Sequence, residues 1–190
     1  MFMLYQIISL LLEVGAGVFA GTCLLRLYMQ QQRIPMSARS GNPLGGLVFA
    51  LSDWLVLPLR RVLPAIGALD LASLVGAYAL ELTQFVLLWL LAGADGGLFE
   101  VPVLAVFALV RLAISGLTGI VIVYSVLSWI PSPSPMSDVI GRLCAPVLTP
   151  IRRRVPLVGG IDLSPLVLLL LLQIGSILLG HLQGFVLSLI

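Results

Sequence analysis

The sequence predicts an all-α membrane protein with four transmembrane helices in two parallel repeats, each with a cytoplasmic amphipathic helix that is interfacial or re-entrant. Composition is the first observation behind this prediction. Of the 190 residues, 60% are hydrophobic and 9% are charged, and the mean hydropathy is +1.17. A soluble domain carries about 25% charged residues. A chain with so few charges could not cover a surface that faces water.

The second observation is an internal repeat. The motif Pro58-Leu-Arg-Arg-Val-Leu-Pro64 returns ninety-two positions later as Pro150-Ile-Arg-Arg-Arg-Val-Pro156. Between 58–72 and 150–164, seven of fifteen aligned positions are identical, and they include two prolines, two arginines, a glycine and an aspartate. Chance in this chain would match leucines instead. The duplication therefore predicts two copies of one structural unit.

The repeat also predicts the domain organisation. The first repeat covers residues 1–92, a short outer loop covers 93–100, and the second repeat covers 101–190. Because two membrane crossings separate the two motifs, both copies have the same orientation. The duplication is therefore parallel and differs from the inverted repeats of many transporters.

Four long apolar runs predict the spans. Each exceeds the roughly 20 residues that a helix needs to cross about 30 Å of hydrocarbon. The first run lacks a basic leading segment and is long enough to span, so we interpret it as an uncleaved helix. The runs are 2–27, 69–91, 101–130 and 163–190.

The arginines predict the orientation. Nine of the ten lie in or beside the first and third connections, whereas the second connection, 92–100, has none. Arginine-rich loops stay in the cytoplasm. We therefore expect a multi-pass protein of the bacterial inner membrane with both termini in the periplasm. The nine are Arg26, Arg33, Arg39, Arg60, Arg61, Arg142, Arg152, Arg153 and Arg154.

An amphipathic segment precedes each arginine motif. Apolar residues recur at steps of three and four in 44–62 and again in 139–155, which is the spacing of a helix with one apolar face. Neither segment looks long and apolar enough to span. Each is expected to lie in the cytoplasmic interface or to re-enter the membrane shallowly. Pro58 and Pro150 are expected to break or kink these helices.

Two further features refine these segments. The stretch 131–135 is too rich in proline for a helix, so Ser137 and Asp138 are the expected N-terminal residues of the second amphipathic helix. Trp54 suits the depth of the membrane interface.

The arginine motif allows two interpretations. In one, its arginines are anchors that each gain about 1 kcal/mol from anionic headgroups. In the other, Arg60 pairs with Asp70, or Arg152 with Asp162, and the pair clamps the amphipathic helix to the following span. The arginines concerned are Arg60, Arg61, Arg152, Arg153 and Arg154.

Residues around the motif support a specific contact. Gly67, Gly159 and Gly160 would provide a tight turn between the paired residues. Asp162 can also cap the last helix, and Ser164-Pro165 fits its first turn.

Charged and amide side chains also lie inside the apolar runs. Each charge costs roughly 2.5–3.5 kcal/mol there, so such groups normally face a partner or water. Glu13 and Arg111 lie at similar depth and are expected to form an ion pair. Glu81 and Gln173 are equivalent in the two repeats and lie near mid-span. They form either a polar path for a proton or ion past Glu81 or, as we favour, a structural cluster that selects the helix arrangement.

No catalytic site is expected. The sequence has no phosphate loop, no dinucleotide fingerprint and no serine–histidine arrangement, and His181 has no second ligand at metal spacing. We therefore expect no enzyme, no metal and no cofactor. The arginine clusters lack interleaved aromatic residues, which disfavours nucleic acid. The expected partners are anionic lipid headgroups and other membrane proteins or further copies of the chain.

These motifs resemble those of the YggT family of bacterial integral membrane proteins. The resemblance rests on Ser128-Trp129-Ile130, the motif that begins at Pro150, and Gly159-Gly-Ile-Asp-Leu-Ser-Pro165. The first repeat looks like a degenerate copy, because Ala72-Ser73 stands where the second repeat has Ser164-Pro165.

The resemblance implies little about chemistry. Members of the family are mostly uncharacterised, and it implies no catalytic residue. Some bacterial relatives are associated with tolerance of osmotic shock, others are encoded near cell-division proteins, and plastid relatives are linked to cytochrome b maturation. The first hypothesis is therefore a non-enzymatic protein that supports osmotic-stress tolerance or envelope and ion homeostasis. The alternatives are an ion or proton transporter or channel component, and an assembly factor for a membrane complex such as a cytochrome or the division machinery.

Overall fold

A computed structural model describes residues 2–37, 40–64, 69–94, 97–129, 134–155 and 162–189. In these residues the chain forms six α-helices. In chain order they are α1 (Phe2–Gln31), α2 (Pro43–Arg60), α3 (Leu71–Leu91), α4 (Glu100–Ser128), α5 (Pro135–Arg152) and α6 (Ser164–Leu187).

Five of the described helices are long and apolar enough to cross a membrane, judged by length and composition. Such helices indicate a multi-pass membrane protein. Four of them, α1, α3, α4 and α6, coincide within a few residues with the predicted spans. The fifth is α2, with a mean hydropathy of 1.2, so the expectation that neither amphipathic segment is apolar enough to span was wrong for α2.

The outward faces of α2 and α5 explain this difference. On α2 the exposed side chains include Leu47, Trp54 and Leu57, whereas on α5 they include Arg142 and Arg152. The buried faces of the two helices are therefore similar, whereas their exposed faces differ.

The ends of α2 and α5 also differ from the prediction. Both helices continue two residues beyond Pro58 and Pro150, which lie in the last turn and do not break it. A proline this near the end removes only one helical hydrogen bond, from its missing N–H. At the other end, α5 begins at Pro135, earlier than predicted. Ser134 accepts from the Ser137 backbone N–H at 3.1 Å, and proline is well suited to the first helical position.

The six helices pack in two similar groups. Within the first, α1, α2 and α3 all contact one another, and α4, α5 and α6 do the same in the second. The groups meet mainly where α4 packs against α3 and α1. The buried face of α2 is formed by Val48, Ser52 and Val56, and the residues ninety-two positions later on α5 are also buried. They are Ile140, Cys144 and Leu148.

Candidate functional site

The arginine motif of the first repeat forms a cluster that joins three helices. Arg60, the last residue of α2, places Nη2 2.5 Å from Asp70 Oδ2, and Asp70 also accepts from the Ser73 hydroxyl at 2.7 Å. Gln30, near the end of α1, completes the cluster. With its amide oriented to satisfy both bonds, its nitrogen donates to Asp70 Oδ2 at 2.9 Å and its oxygen accepts from Arg60 Nη2 at 2.6 Å. We call these four residues the first clamp.

Asp70 is the buried centre of the first clamp and is only 3% exposed. Burial alone would raise the pKa of this carboxyl, but hydrogen bonds from Arg60 and Ser73 outweigh burial and hold the pKa below its ordinary 3.8. Asp70 is therefore ionised at neutral pH. A buried carboxylate of this kind is tolerated only because its oxygens are well bonded.

The second repeat has an equivalent cluster, which we call the second clamp. Arg152 donates from Nε to Asp162 Oδ2 at 2.8 Å and from Nη2 to the Tyr124 hydroxyl at 2.6 Å. Tyr124 lies near the end of α4, with its ring centre 5.7 Å from the guanidinium carbon. Asp162 Oδ1 also accepts from the backbone N–H of Ser164, the first residue of α6, at 2.9 Å, although Leu163 and not Asp162 is the N-cap residue of that helix.

The electrostatics of the second clamp favour the ionised pair. The bond to the Tyr124 hydroxyl and then that to Asp162 raise the pKa of Arg152. Burial would raise the pKa of Asp162, but bonds from Ser164 and Arg152 lower it on balance. The Asp162 side chain is 31% exposed against 4% for Asp70, so water screens the second pair more.

The two clamps thus connect equivalent elements through different chemistry. In each, an arginine that ends the amphipathic helix holds the aspartate before the next long helix and a polar side chain near the end of the preceding one. That polar residue is an amide in the first clamp and a phenol in the second. The predicted turn glycines, Gly67, Gly159 and Gly160, lie outside the described residues.

The other motif arginines stand apart from these clusters. Arg61, Arg153 and Arg154 are exposed, and their side chains make no hydrogen bond or ion pair with the described part of the chain. Their charges are free to meet solvent or an anionic surface.

Sequence reasoning missed a third cation–carboxylate pair. Arg26 on α1 is only 2% exposed, and its Nη1 donates to Ser52 Oγ and to Asp53 Oδ1, both at 2.7 Å. Its guanidinium also lies over the Phe49 ring, 5.0 Å from the ring centre. From the sequence alone, Arg26 was interpreted only as an orientation marker and Asp53 was not interpreted.

A comparison of the repeats could have revealed this pair. The positions equivalent to Arg26, Ser52 and Asp53 hold Thr118, Cys144 and Ala145, so the cation and the carboxylate are both missing from the second repeat. Cys144 there contacts the Ile120 carbonyl oxygen at 3.8 Å instead.

The polar residues of the spans form fewer contacts than predicted. The expected Glu13–Arg111 ion pair is not present among the described residues, and Arg111 donates instead to Gln183 Oε1 at 2.6 Å. Glu81 is buried at 5% exposure, whereas its equivalent, Gln173, is exposed on α6. The two repeats therefore place this pair of positions in different surroundings.

Comparison with known sequences identifies relatives over most of the chain. A sequence model of the CCB3/YggT family matches residues 1–91 and 103–183. An uncharacterized protein in the proC 3′ region of Vibrio alginolyticus is 32% identical over 179 residues, which cover 93% of this chain and 95% of that protein. The uncharacterized protein YggT of Escherichia coli K12 is 32% identical over 168 residues, covering 88% of this chain and 86% of that protein. No solved structure matches the chain significantly.

Proposed function

The chain belongs to the CCB3/YggT family, and we propose that it is a non-enzymatic protein of the bacterial inner membrane that supports osmotic-stress tolerance and envelope homeostasis. In this proposal it acts by holding two amphipathic helices at the cytoplasmic membrane surface. There they present arginines to anionic lipid and to other membrane proteins.

The proposed topology has four spans, α1, α3, α4 and α6, in two parallel repeats. Both termini are periplasmic, and α2 and α5 lie in the cytoplasmic interface. Arginine placement supports this orientation, because the outer connection has none. The outward arginines of α5 support an interfacial position for that helix. For α2, whose outward face is apolar, we propose a deeper position in the same interface.

The duplicated clamp is the observation that carries this proposal. In both repeats the arginine at the end of the amphipathic helix is bound to the aspartate before the next span, at 2.5 Å and 2.8 Å. These charges are paired with one another, which supports a structural role for them. What the clamps do is fix the amphipathic helices, which is a scaffolding role.

Survival after osmotic shock tests the proposal. A bacterial strain that lacks its own family member would be complemented with the wild-type chain, with Asp70→Asn/Asp162→Asn, or with the matched control Asp138→Asn, an exposed aspartate on α5 that forms no ion pair with a described residue. We expect the wild type and the control to restore survival and the double variant to fail at equal membrane abundance. Equal rescue by all three would contradict the scaffolding role. Crosslinking with mass spectrometry in the same strains would identify protein partners, including those expected of an assembly factor.

A second candidate is movement of a proton or ion past Glu81. It is favoured by the burial of Glu81 and Gln84 on α3, at 5% and 7% exposure, with no hydrogen bond from either side chain to a described residue. Ion or proton flux into proteoliposomes would be measured for the wild type, for Glu81→Gln and for the control Gln173→Leu. The control changes the exposed residue of the second repeat that is equivalent to Glu81. Flux that is lost only in Glu81→Gln would favour transport. Wild-type flux no higher than that of empty vesicles would rule out this second candidate.

A further inference from the structure

A cleft of about 680 Å³ lies where the end of α1 meets α5. Three arginines line it, Arg33, Arg142 and Arg153, and no carboxylate belongs to its described lining. None of the three forms a side-chain hydrogen bond or ion pair with the described residues, including Asp138, one turn before Arg142. By contrast, Arg26, Arg60 and Arg152 are each bound to an aspartate. Within the described ranges, the positive charge of the cleft is therefore not paired with any carboxylate.

The backbone at Arg33 is a second, independent observation. Arg33 has φ +54° and follows α1 in the left-handed conformation that usually selects glycine. The turn is closed by bonds from Arg33 N to Gln30 O at 3.0 Å and from Ile34 N to Met29 O at 2.9 Å. A non-glycine residue in this conformation carries strain, and strain of this kind often accompanies a functional position. Here it directs an arginine into the cleft.

An apolar groove of about 340 Å³ begins beside this cleft and follows the seam between α1 and α4. Its walls include Gly21 and Leu25 from α1 and Gly116 and Ile120 from α4. Gln31 and Val147 line its end, and their chain neighbours Gln32 and Pro146 line the cleft. The ten residue steps from Gly21 to Gln31 rise about 15 Å in a helix. That is half of a hydrocarbon core about 30 Å thick, or one leaflet.

From these features we propose that the seam of α1, α4 and α5 binds one anionic phospholipid. Its phosphate lies among Arg33, Arg142 and Arg153, and one acyl chain lies in the groove. A guanidinium matches phosphate oxygens as a two-pronged donor. A water-soluble anion would leave the groove unused. A zwitterionic lipid carries its own ammonium beside the phosphate, whereas an anionic lipid brings net negative charge to the three arginines. The inference rests on the proposed topology, which places the arginines at the cytoplasmic leaflet.

The two repeats do not form this site twice. The positions equivalent to Arg33 and Arg142 are Ser125 and Ala50. One lipid per chain is therefore expected.

Native mass spectrometry of the full-length protein in a neutral detergent tests the proposal. The protein would be titrated with phosphatidylglycerol and, separately, with zwitterionic phosphatidylcholine. The variant Arg33→Gln/Arg142→Gln removes two cleft charges, and Arg61→Gln/Arg154→Gln removes two exposed charges outside the cleft. We expect the cleft variant to weaken phosphatidylglycerol binding by about tenfold or more and the control by less than about twofold. Equal losses in the two variants would overturn the site.

A groove variant separates a lipid from a free anion. A Cβ added at Gly116 meets no atom within 4 Å, and Gly116 lines the groove, so Gly116→Leu is expected to extend its side chain into the groove. We expect it to lose phosphatidylglycerol, and an excess of the deacylated headgroup, glycerophosphoglycerol, should not displace the lipid from the wild type. Displacement would mean a soluble-anion site and would overturn the proposal. Loss of lipid with unchanged survival of osmotic shock would support the site while counting against its role in the proposed function.

Discussion

The Arg26 guanidinium on α1 lies 2.7 Å from the Asp53 carboxylate on α2, although Arg26 is 2% exposed and Asp53 retains 39% of its side-chain exposure. The Arg26 Nε has no hydrogen-bond partner among the described residues. The ion pair with Asp53 and the hydrogen bond to Ser52 therefore provide most of the stabilisation of the buried Arg26 charge. The pair fixes α2 against α1 in the first repeat by a contact that the second repeat lacks.

Removing Asp53 should destabilise the protein strongly. Asp53→Ala leaves the Arg26 charge buried without its carboxylate, which costs about 3 kcal/mol. Introducing the residues of the second repeat, Arg26→Thr/Ser52→Cys/Asp53→Ala, removes the charge as well and should cost less than the single change. Unfolding by SDS titration in mixed micelles measures both. A triple variant less stable than Asp53→Ala would contradict this account.

The two clamps should differ in strength. Asp70→Asn removes a buried charge from three bonded neighbours and is expected to cost about 3 kcal/mol. Asp162→Asn changes a partly exposed pair and is expected to cost about 1 kcal/mol. Thermal unfolding in detergent ranks the stabilities of the two variants. Asp138→Asn is the control and should leave the unfolding temperature unchanged. Wild-type stability in Asp162→Asn would argue against a stabilising second clamp.

The stability that Asp70 contributes should depend on pH only in acid. Its pKa in the folded protein lies below the ordinary 3.8, so its contribution is complete above the ordinary pKa and is lost as the pH falls through the folded one. The difference in unfolding temperature between the wild type and Asp70→Asn should be constant from pH 7 to pH 5 and should narrow below about pH 4. Other acids titrate in both proteins and cancel. A difference that narrows already between pH 7 and pH 5 would point to another group.

The sequence predicted the long helices and the Arg–Asp spacing well, for a physical reason. Apolar length is a local property, and the spacing of ten positions from Arg60 to Asp70 recurs from Arg152 to Asp162. Partners on other helices depend on how the helices cross, which a single sequence does not encode locally. Gln30 and Tyr124 were therefore missed as clamp residues.

The polar residues of the spans illustrate the same limit. Similar depth suggested a Glu13–Arg111 pair, but depth does not determine which way a side chain faces. Arg111 instead meets Gln183, seventy-two residues later on α6.

Two adjacent glycines at the start of α2 should respond in opposite ways to alanine. A Cβ at Gly45 would lie 2.2 Å from the Met36 carbonyl oxygen, because the preceding connection folds closely over α2. Gly45→Ala must displace that backbone and is expected to cost about 2 kcal/mol. A Cβ at the exposed Gly46 meets nothing within 4 Å, so Gly46→Ala should gain about 0.5 kcal/mol from helix propensity. SDS unfolding compares them, and equal effects would mean that the connection does not dock as described.

The apolar outer face of α2 should hold it deeper in the membrane than α5. Trp54 is 55% exposed on this face and packs edge-on against Phe19, with ring centres 5.7 Å apart. Its equivalent on α5 is Pro146, which lines the arginine-rich cleft. A protein whose only tryptophan is Trp54 would be compared in lipid vesicles with one whose only tryptophan comes from Pro146→Trp. The other tryptophans are replaced by phenylalanine in both.

Compared with the tryptophan introduced by Pro146→Trp, Trp54 should be quenched more strongly by brominated acyl chains and less by aqueous acrylamide. The reason is that α2 presents leucines to the lipid where α5 presents arginines and threonine. Thermal unfolding of both variants first establishes that each is folded. Equal quenching of the two tryptophans would mean that α2 and α5 lie at one depth, and the apolar face of α2 would then need a protein partner to cover it.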